Sequence, residues 1–239
     1  MTNASPTLHY IHDPLCGWCY GAAPLVRAAR EVLPVQAHGG GMMAGAARRA
    51  VTPELRQFVM GHDRRIAQVS GQPFGPGYFD GLLQDSGAVL DSAPPITAML
   101  AADAIAGAGL DMLACLQRAR YVEGRRIADA GVLRDLAAEL GLHTADFDEA
   151  FGRLAGAATQ AHIIQSRALL ARIGGQGFPT VAVERDGQFT RVDIGANIGR
   201  PDDWRAWLQT LGGATRPAAQ ELAPACSLEG CVPTPQGVA

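Results

Sequence analysis

Lysine is absent from this sequence; all 20 basic residues are arginine, which reads first as a bias of composition. Gly39-Gly40-Gly41 therefore lacks the Gly-Lys-Ser/Thr ending of a phosphate loop, and is read as a place where the chain turns close to a site. Apolar runs of 18 residues or more are also missing, so no spanning helix is expected and no membrane partner. A basic excess is missing too: the formal net charge is −3 and the pI about 6.0, which argues against nucleic acid as a partner. Met1–Pro6 has neither a basic segment nor an apolar stretch of the secretory kind, so a cytoplasmic location is expected. Cysteine is scarce, five in 239 residues, which is too few for a disulfide scaffold. In a reducing compartment, close Cys pairs read as redox or metal sites.

Apolar residues make up 48% of the chain and charged residues 18%, enough for a sizeable core. Thr7–His12 reads as a strand broken by Asp13-Pro14. A helix opens at Cys16, carries Leu25, Val26 and Ala29 inward and ends near Leu33-Pro34. Val35–His38 reads as a second strand. Thr52 before Pro53 marks a helix start, with Leu55, Phe58, Val59, Ile66 and Val69 expected on one buried face. Gly71–Gly77 reads as a loop. Further helices are predicted over 95–106 and 111–122, from Asp129 to Gly141 with Val132, Leu133, Leu136 and Leu140 inward, and from a Thr144 cap carrying Phe147, Phe151 and Leu154. No convincing strand occurs in this block. Gln160–Ile173 reads as a helix, Val181–Arg185 and Gln188–Ile194 as a hairpin about Asp186-Gly187. Pro201 opens a last helix with Trp204, Trp207, Leu208 and Leu211 buried. The expected order is β-α-β, a helical block, then α-β-β-α. The expected domains are 7–45 with 158–212, a helical insertion over 46–157, and a Pro-rich tail over 213–239.

Cys16-Gly17-Trp18-Cys19 stands at the first strand-to-helix junction. Two Cys three apart in the first turn of a helix close a disulfide with little backbone movement. The first sulfur then lies beside unpaired N–H groups and the positive end of the helix dipole, surroundings that lower a thiol pKa to roughly 3.5–7.5. A thiolate there attacks a disulfide, and the second Cys resolves the product. The same spacing is also half of a zinc site, but no C-x-x-C or H-x-x-H partner lies at the usual distance. Pro24, eight residues after Cys16, should kink the helix. Phe178-Pro179-Thr180 leads into a strand after a Gly-rich loop.

Taken together, Cys16–Val26, the Phe178-Pro179-Thr180 turn, the hairpin and the long helical insertion resemble the DsbA-like thiol:disulfide oxidoreductases of the thioredoxin superfamily. The resemblance covers about residues 7–212. Asp13–Gly21, Gly39–Met43 and Tyr121–Arg126 look like its leaderless, FrnE-like branch of predicted protein-disulfide isomerases. The resemblance implies an α/β thioredoxin-like fold with a large all-helical insertion. It implies Cys16 as nucleophile, Cys19 as resolving thiol and Pro179 as a cis proline facing the pair, flanked by Gly17, Trp18, Phe178 and Thr180. A cis bond to Pro costs only about 0.5–1 kcal/mol. In the family the second residue between the cysteines is often His or Pro; here it is Trp18. The implied activity is that of a protein dithiol–disulfide oxidoreductase or isomerase without a cofactor. Its implied partners are thiol- or disulfide-containing proteins and a reductant such as glutathione or a thioredoxin-like protein. The rival readings are a glutathione-dependent isomerase or transferase of the same fold, which generally carries Ser at the helix start, and a zinc-stabilised binding module.

Cys226 and Cys231 form a C-x4-C in the tail. It reads as an accessory redox or static disulfide, as a chance pair, or as half of a four-Cys zinc site. Cys115, between Leu113 and Leu116 on a helix, is expected to be a buried apolar residue. His9 and His12 flank Tyr10 and are read as sharing one face, packed or facing solvent, whereas His38, His62, His143 and His162 show no metal spacing. Arg48-Arg49, Arg64-Arg65 and Arg125-Arg126 read as solvated helix faces. Asp13 is the nearest carboxylate to the pair and is read as a helix cap.

Overall fold

Every residue from Leu8 to His12 is buried, as happens when a strand is covered on both faces. The structure, a computed structural model, describes residues 5–212. The elements in chain order are β1 (Thr7–His12), α1 (Gly17–Gly21), α2 (Ala23–Arg30), β2 (Val35–Gly39), β3 (Arg49–Ala50), α3 (Pro53–Ser70), β4 (Val89–Leu90), α4 (Ala93–Ala106), α5 (Gly109–Tyr121), α6 (Ala130–Glu139), α7 (Thr144–Leu154), α8 (Ala157–Arg172), β5 (Thr180–Arg185), β6 (Gln188–Val192) and α9 (Pro201–Gly212). Packing divides the described chain into two compact units: 5–42, 57–73 and 161–212 in one, and 43–56 and 74–160 in the other. Residues 57–73 thus pack with the strands, although they fall inside the segment read from the sequence as the insertion.

The first unit holds a sheet in the order β2-β1-β5-β6. β1 runs parallel to β2 and antiparallel to β5, and β5 pairs antiparallel with β6. This is the thioredoxin-like arrangement expected. The β5–β6 turn places Asp186 at φ 50° and Gly187 at φ 77°, the double left-handed conformation that an Asp-Gly pair supplies. The expected kink is a break: α1 ends at Ala22, and Pro24 sits in the first turn of α2, where a missing N–H costs nothing. On α9, Trp204 is buried and its Nε1 donates to the Leu25 carbonyl at 3.0 Å.

Two expected faces are corrected. Trp207 is 37% exposed; it stacks on Trp204 with ring centroids 5.0 Å apart, at the edge of the face that Trp204 and Leu208 bury. On α3 the buried residues are Asp63, Ile66 and Ser70, while Phe58 and Val69 are 66% and 47% exposed. Apart from Ile66, the apolar residues of this helix do not mark its packed side, because that side meets Gly17 and Gly21 of α1.

In the second unit α4 packs on α5, α6 and α7, and Thr97 and Thr159 pair their buried hydroxyls at 2.7 Å. Three details differ from the sequence reading. β3 and β4 form a two-residue antiparallel ladder where no strand was expected; such short pieces carry too few residues to show a period. The N-cap of α7 is His143, and Thr144 is the first helical residue. Arg125 is half-buried, bonding Glu139 at 2.8 Å and Asp135 at 2.9 Å, and Arg126 pairs with Asp85 at 2.6 Å. These two arginines therefore tie segments together rather than line a solvated face. Cys115 on α5 is fully buried. Cys226 and Cys231 lie outside the described residues.

Candidate active site

The chain leaves β1 through Asp13, which is fully buried. One carboxylate oxygen accepts from the Leu15 N–H at 2.9 Å and the other from the Met42 N–H at 2.6 Å. Asp13 therefore ties two loops together, and the cap of the next helix is Cys16. Cys16 has extended backbone angles, φ −88° and ψ 115°, and its sulfur accepts the Cys19 N–H at 3.4 Å. The Cys16 sulfur thus takes the capping place that the oxygen of a Ser would hold.

Both thiols are free, and their surroundings differ. Cys16 is 7% exposed and Cys19 is sealed at 0%. The Cys16 S–H donates to the Phe178 carbonyl at 3.4 Å. Burial pushes the Cys19 thiol well above its ordinary value, and the hydrogen bond and charge of Cys16 push it the same way. A sealed, protonated second thiol beside a more exposed first one is the arrangement that a nucleophile followed by a resolving thiol requires.

The Phe178–Pro179 bond is cis. Thr180 begins β5, and its hydroxyl donates to the Gly177 carbonyl at 2.7 Å. The glycine run after β2 lies against this turn: a Cβ on Gly40 would stand 2.1 Å from Phe178 Cζ. Arg167 of α8 holds the run, Nε donating to the Gly40 carbonyl at 2.7 Å and the second guanidinium nitrogen to the Gly41 carbonyl at 2.6 Å. A cavity of about 660 Å³ flanks the motif, lined among others by Trp18, Arg65, Phe178, Pro179, Arg191 and Asp193. Its size suits a small molecule or a short peptide.

Sequence reasoning brought Cys16, Gly17, Trp18, Cys19, Phe178, Pro179 and Thr180 to one place, and the structure juxtaposes them. It missed Arg167, which lies 127 positions from Gly40 and shows no local motif. It also misplaced the histidines. Residues three apart on a strand point to opposite faces. Tyr10 and His12 share a face, their rings stacked 4.9 Å apart, and the Tyr10 hydroxyl donates to the Cys19 carbonyl at 3.1 Å. His9, on the other face, bonds His38 at 2.9 Å and Glu184 at 2.8 Å. His12 is fully buried, and neither of its ring nitrogens has a hydrogen-bond partner among the described residues. Burial, with His162 and His38 nearby, pushes its pKa down to about 3. Among the described residues no group of three or more His, Cys, Asp or Glu is placed to hold a metal ion.

Among solved structures, the chain is similar to the cytosolic disulfide reductase DsbM from Pseudomonas aeruginosa, with 58% identity and a TM-score of 0.81 over 85% of this chain and 97% of DsbM. The chain belongs to the DsbA-like thiol:disulfide oxidoreductases. A second DsbM structure, with glutathione, matches at 55% identity and TM-score 0.80 over 85% of this chain and 98% of that one. A Nitrosomonas europaea structure described as a protein disulfide isomerase matches at 26% identity and TM-score 0.71, over 86% of this chain and 96% of that one. No family model and no curated protein matches the chain. As a member of this family the chain is a thiol:disulfide oxidoreductase of thioredoxin-like fold with a helical insertion. Among the described residues no helix is long and apolar enough to cross a membrane.

The packing of the glycine run on Phe178 makes a prediction for this DsbA-like enzyme. Gly40→Ala forces the Phe178 ring aside and with it the carbonyl that takes the Cys16 thiol. Overpacking of this kind costs about 1–3 kcal/mol. The expected result is a turnover loss larger than the loss of stability explains, measured as initial rates alongside a urea titration. Unchanged turnover would show that Phe178 has no part in holding Cys16.

Proposed function

We propose that this chain reduces protein disulfides in the cytosol at the expense of glutathione, with Cys16 as the attacking thiol and Cys19 as the resolving one. The observation that carries the reading is the asymmetry of the pair: Cys16 reaches the surface and Cys19 does not, while burial and Cys16 hold the Cys19 proton on. The likeness to a cytosolic disulfide reductase, one of whose structures is with glutathione, supports the direction, the compartment and the reductant.

The Cys16 thiolate attacks one sulfur of the substrate disulfide. That bond breaks, one substrate sulfur leaves as a thiolate, and the other is bonded to Cys16. Cys19 then attacks the Cys16 sulfur, its proton passing to the departing sulfur, and the second substrate thiol leaves. Two glutathione molecules return the pair to the dithiol, the first forming a mixed disulfide with Cys16 and the second leaving with it as oxidised glutathione. Gly17 and Trp18 shape the approach, and the turn Phe178-Pro179-Thr180 bounds the groove on which an extended substrate lies.

Trapping tests the assignment. Cys19→Ser protein, exposed to oxidised glutathione, should accumulate a glutathione on Cys16, read by peptide mapping. Cys16→Ser protein should take up none at Cys19 under native conditions, since that thiol is sealed. Equal labelling of Cys19 in that variant would reverse the roles. Isomerisation is the second reading, favoured by the likeness to the Nitrosomonas protein; reactivation of a disulfide-scrambled ribonuclease without added reductant separates the two.

A further inference from the structure

The run Gly39–Gly41 is buried and has no side chains with which to fix itself; Gly41 turns through φ 65°. Its place comes from what its backbone bonds. On one side β1 holds it: the Gly40 N–H donates to the His12 carbonyl at 2.7 Å, and the Met42 N–H donates to the Asp13 carboxylate at 2.6 Å. On the other side α8 holds it: the Gly39 N–H donates to His162 Nε2 at 3.0 Å, and the guanidinium of Arg167 donates to both the Gly40 and the Gly41 carbonyls. A charged donor makes such bonds stronger than neutral ones, and two from one planar group fix direction as well as distance. Arg167 is itself exposed, so it serves these two oxygens more than it serves core packing.

The run borders Cys16 on two sides. The tip of the Phe178 ring abuts Gly40, where a Cβ would stand 2.1 Å from Cζ and 2.2 Å from Cε1, and the Phe178 carbonyl accepts the Cys16 S–H at 3.4 Å. Asp13, which receives the Met42 N–H, offers its main-chain carbonyl to the Cys16 N–H at 3.1 Å. We propose that Arg167 is a positioning residue for thiol–disulfide exchange: it keeps the glycine run against Phe178 and so holds the Phe178 carbonyl, and with it the Cys16 sulfur, in the geometry from which Cys16 attacks. Ring and carbonyl belong to one residue, so a run released from Arg167 lets the ring swing and takes the carbonyl with it. Displacing a reacting group by about 1 Å can cost about a hundredfold in rate, so a side chain that touches no substrate still governs the reaction.

This inference rests on Cys16 being the attacking thiol, and the test isolates its first step. In full-length Cys19→Ser protein mixed with oxidised glutathione, the Cys16 thiol gives its proton to solvent and its sulfur bonds one glutathione sulfur. The glutathione disulfide breaks, and its other half leaves as a thiolate. Quenched time points and peptide mapping of Cys16 read the rate. Arg167→Met keeps the length of the side chain without its donors and should slow this step about tenfold. Arg167→Lys keeps a charged donor and should recover part or all of that loss. Gly40→Ala displaces Phe178 directly, so adding Arg167→Met to it should change the rate by less than about twofold. Urea titrations show whether each variant is folded under the assay conditions. An Arg167→Met rate within about twofold of the parent, a lysine variant no faster than the methionine one, or effects of Gly40→Ala and Arg167→Met that multiply would each overturn the proposal and leave Arg167 a stabilising residue only. Should Arg167→Met not fold, Arg167→Gln takes its place in the same comparisons. If the parent Cys19→Ser protein takes up no glutathione on Cys16, it is the proposed function that fails.

Discussion

Replacing Cys16 by serine is expected to lower disulfide reduction at least about a thousandfold, because in the role proposed for it the residue supplies the bond-forming atom. The loss should come with an unchanged melting temperature. Cys16 is 7% exposed, and a hydroxyl can keep both contacts of the thiol, accepting from the Cys19 N–H and donating to the Phe178 carbonyl. The two thiols should also separate by alkylation. With iodoacetamide under native conditions, Cys16 should react first, and Cys19 should react only on unfolding. The reverse order, followed by mass spectrometry of the peptides, would overturn the assignment of roles.

Acid should destabilise this protein before its carboxylates begin to protonate. His12 is buried in neutral form, its pKa pushed from 6.5 down to about 3. In the unfolded chain it titrates near 6.5. Between those values the unfolded state binds a proton that the folded state refuses, so stability is full above about pH 6.5 and falls as pH falls toward 3. The slope is up to about 1.4 kcal/mol per pH unit for the one group. His38, pushed down to about 4 by burial and by His9 and His162, adds in the same direction over a narrower window. Urea midpoints between pH 7.5 and 5 measure the effect. His12→Phe keeps a ring stacked on Tyr10 and should flatten the pH dependence in that range. An equally steep dependence in this variant would mean that His12 takes up its proton inside the fold.

The parts of the fold legible in the sequence were those fixed by local chemistry. Asp186-Gly187 announces a hairpin because few other pairs adopt two left-handed residues in succession. Thr7–His12 and Cys16 announce a strand and a helix start because breakers separate them. What stayed hidden depends on partners far along the chain. Periodicity assigned Phe58 and Val69 to the buried side of α3, because apolar residues usually mark that side. Here the partner surface is two glycines, and a carboxylate and a serine fit against it. The same holds for Arg167 and Gly40: the glycine run was readable as a close turn, but the guanidinium that fastens it came from a helix with no distinguishing pattern. The cysteine pair and the proline turn were readable because their chemistry needs fixed spacing. The buried polar groups around them, His12 and Asp13, were adjacent in sequence, yet their burial is set by the sheet and by the loop after β2.

The contact between α3 and Gly17 also limits how this enzyme can change. The two residues between the cysteines are the positions at which such a motif can vary while keeping its spacing. In this chain only Trp18 is open to such variation. A side chain at Gly17 has to displace Asp63, so importing a foreign dipeptide demands a compensating change some forty-six positions away. The motif and the helix over it should therefore travel through sequence space as a coupled set, and a graft of the motif alone should transfer less of a donor's redox character than the same graft made together with α3.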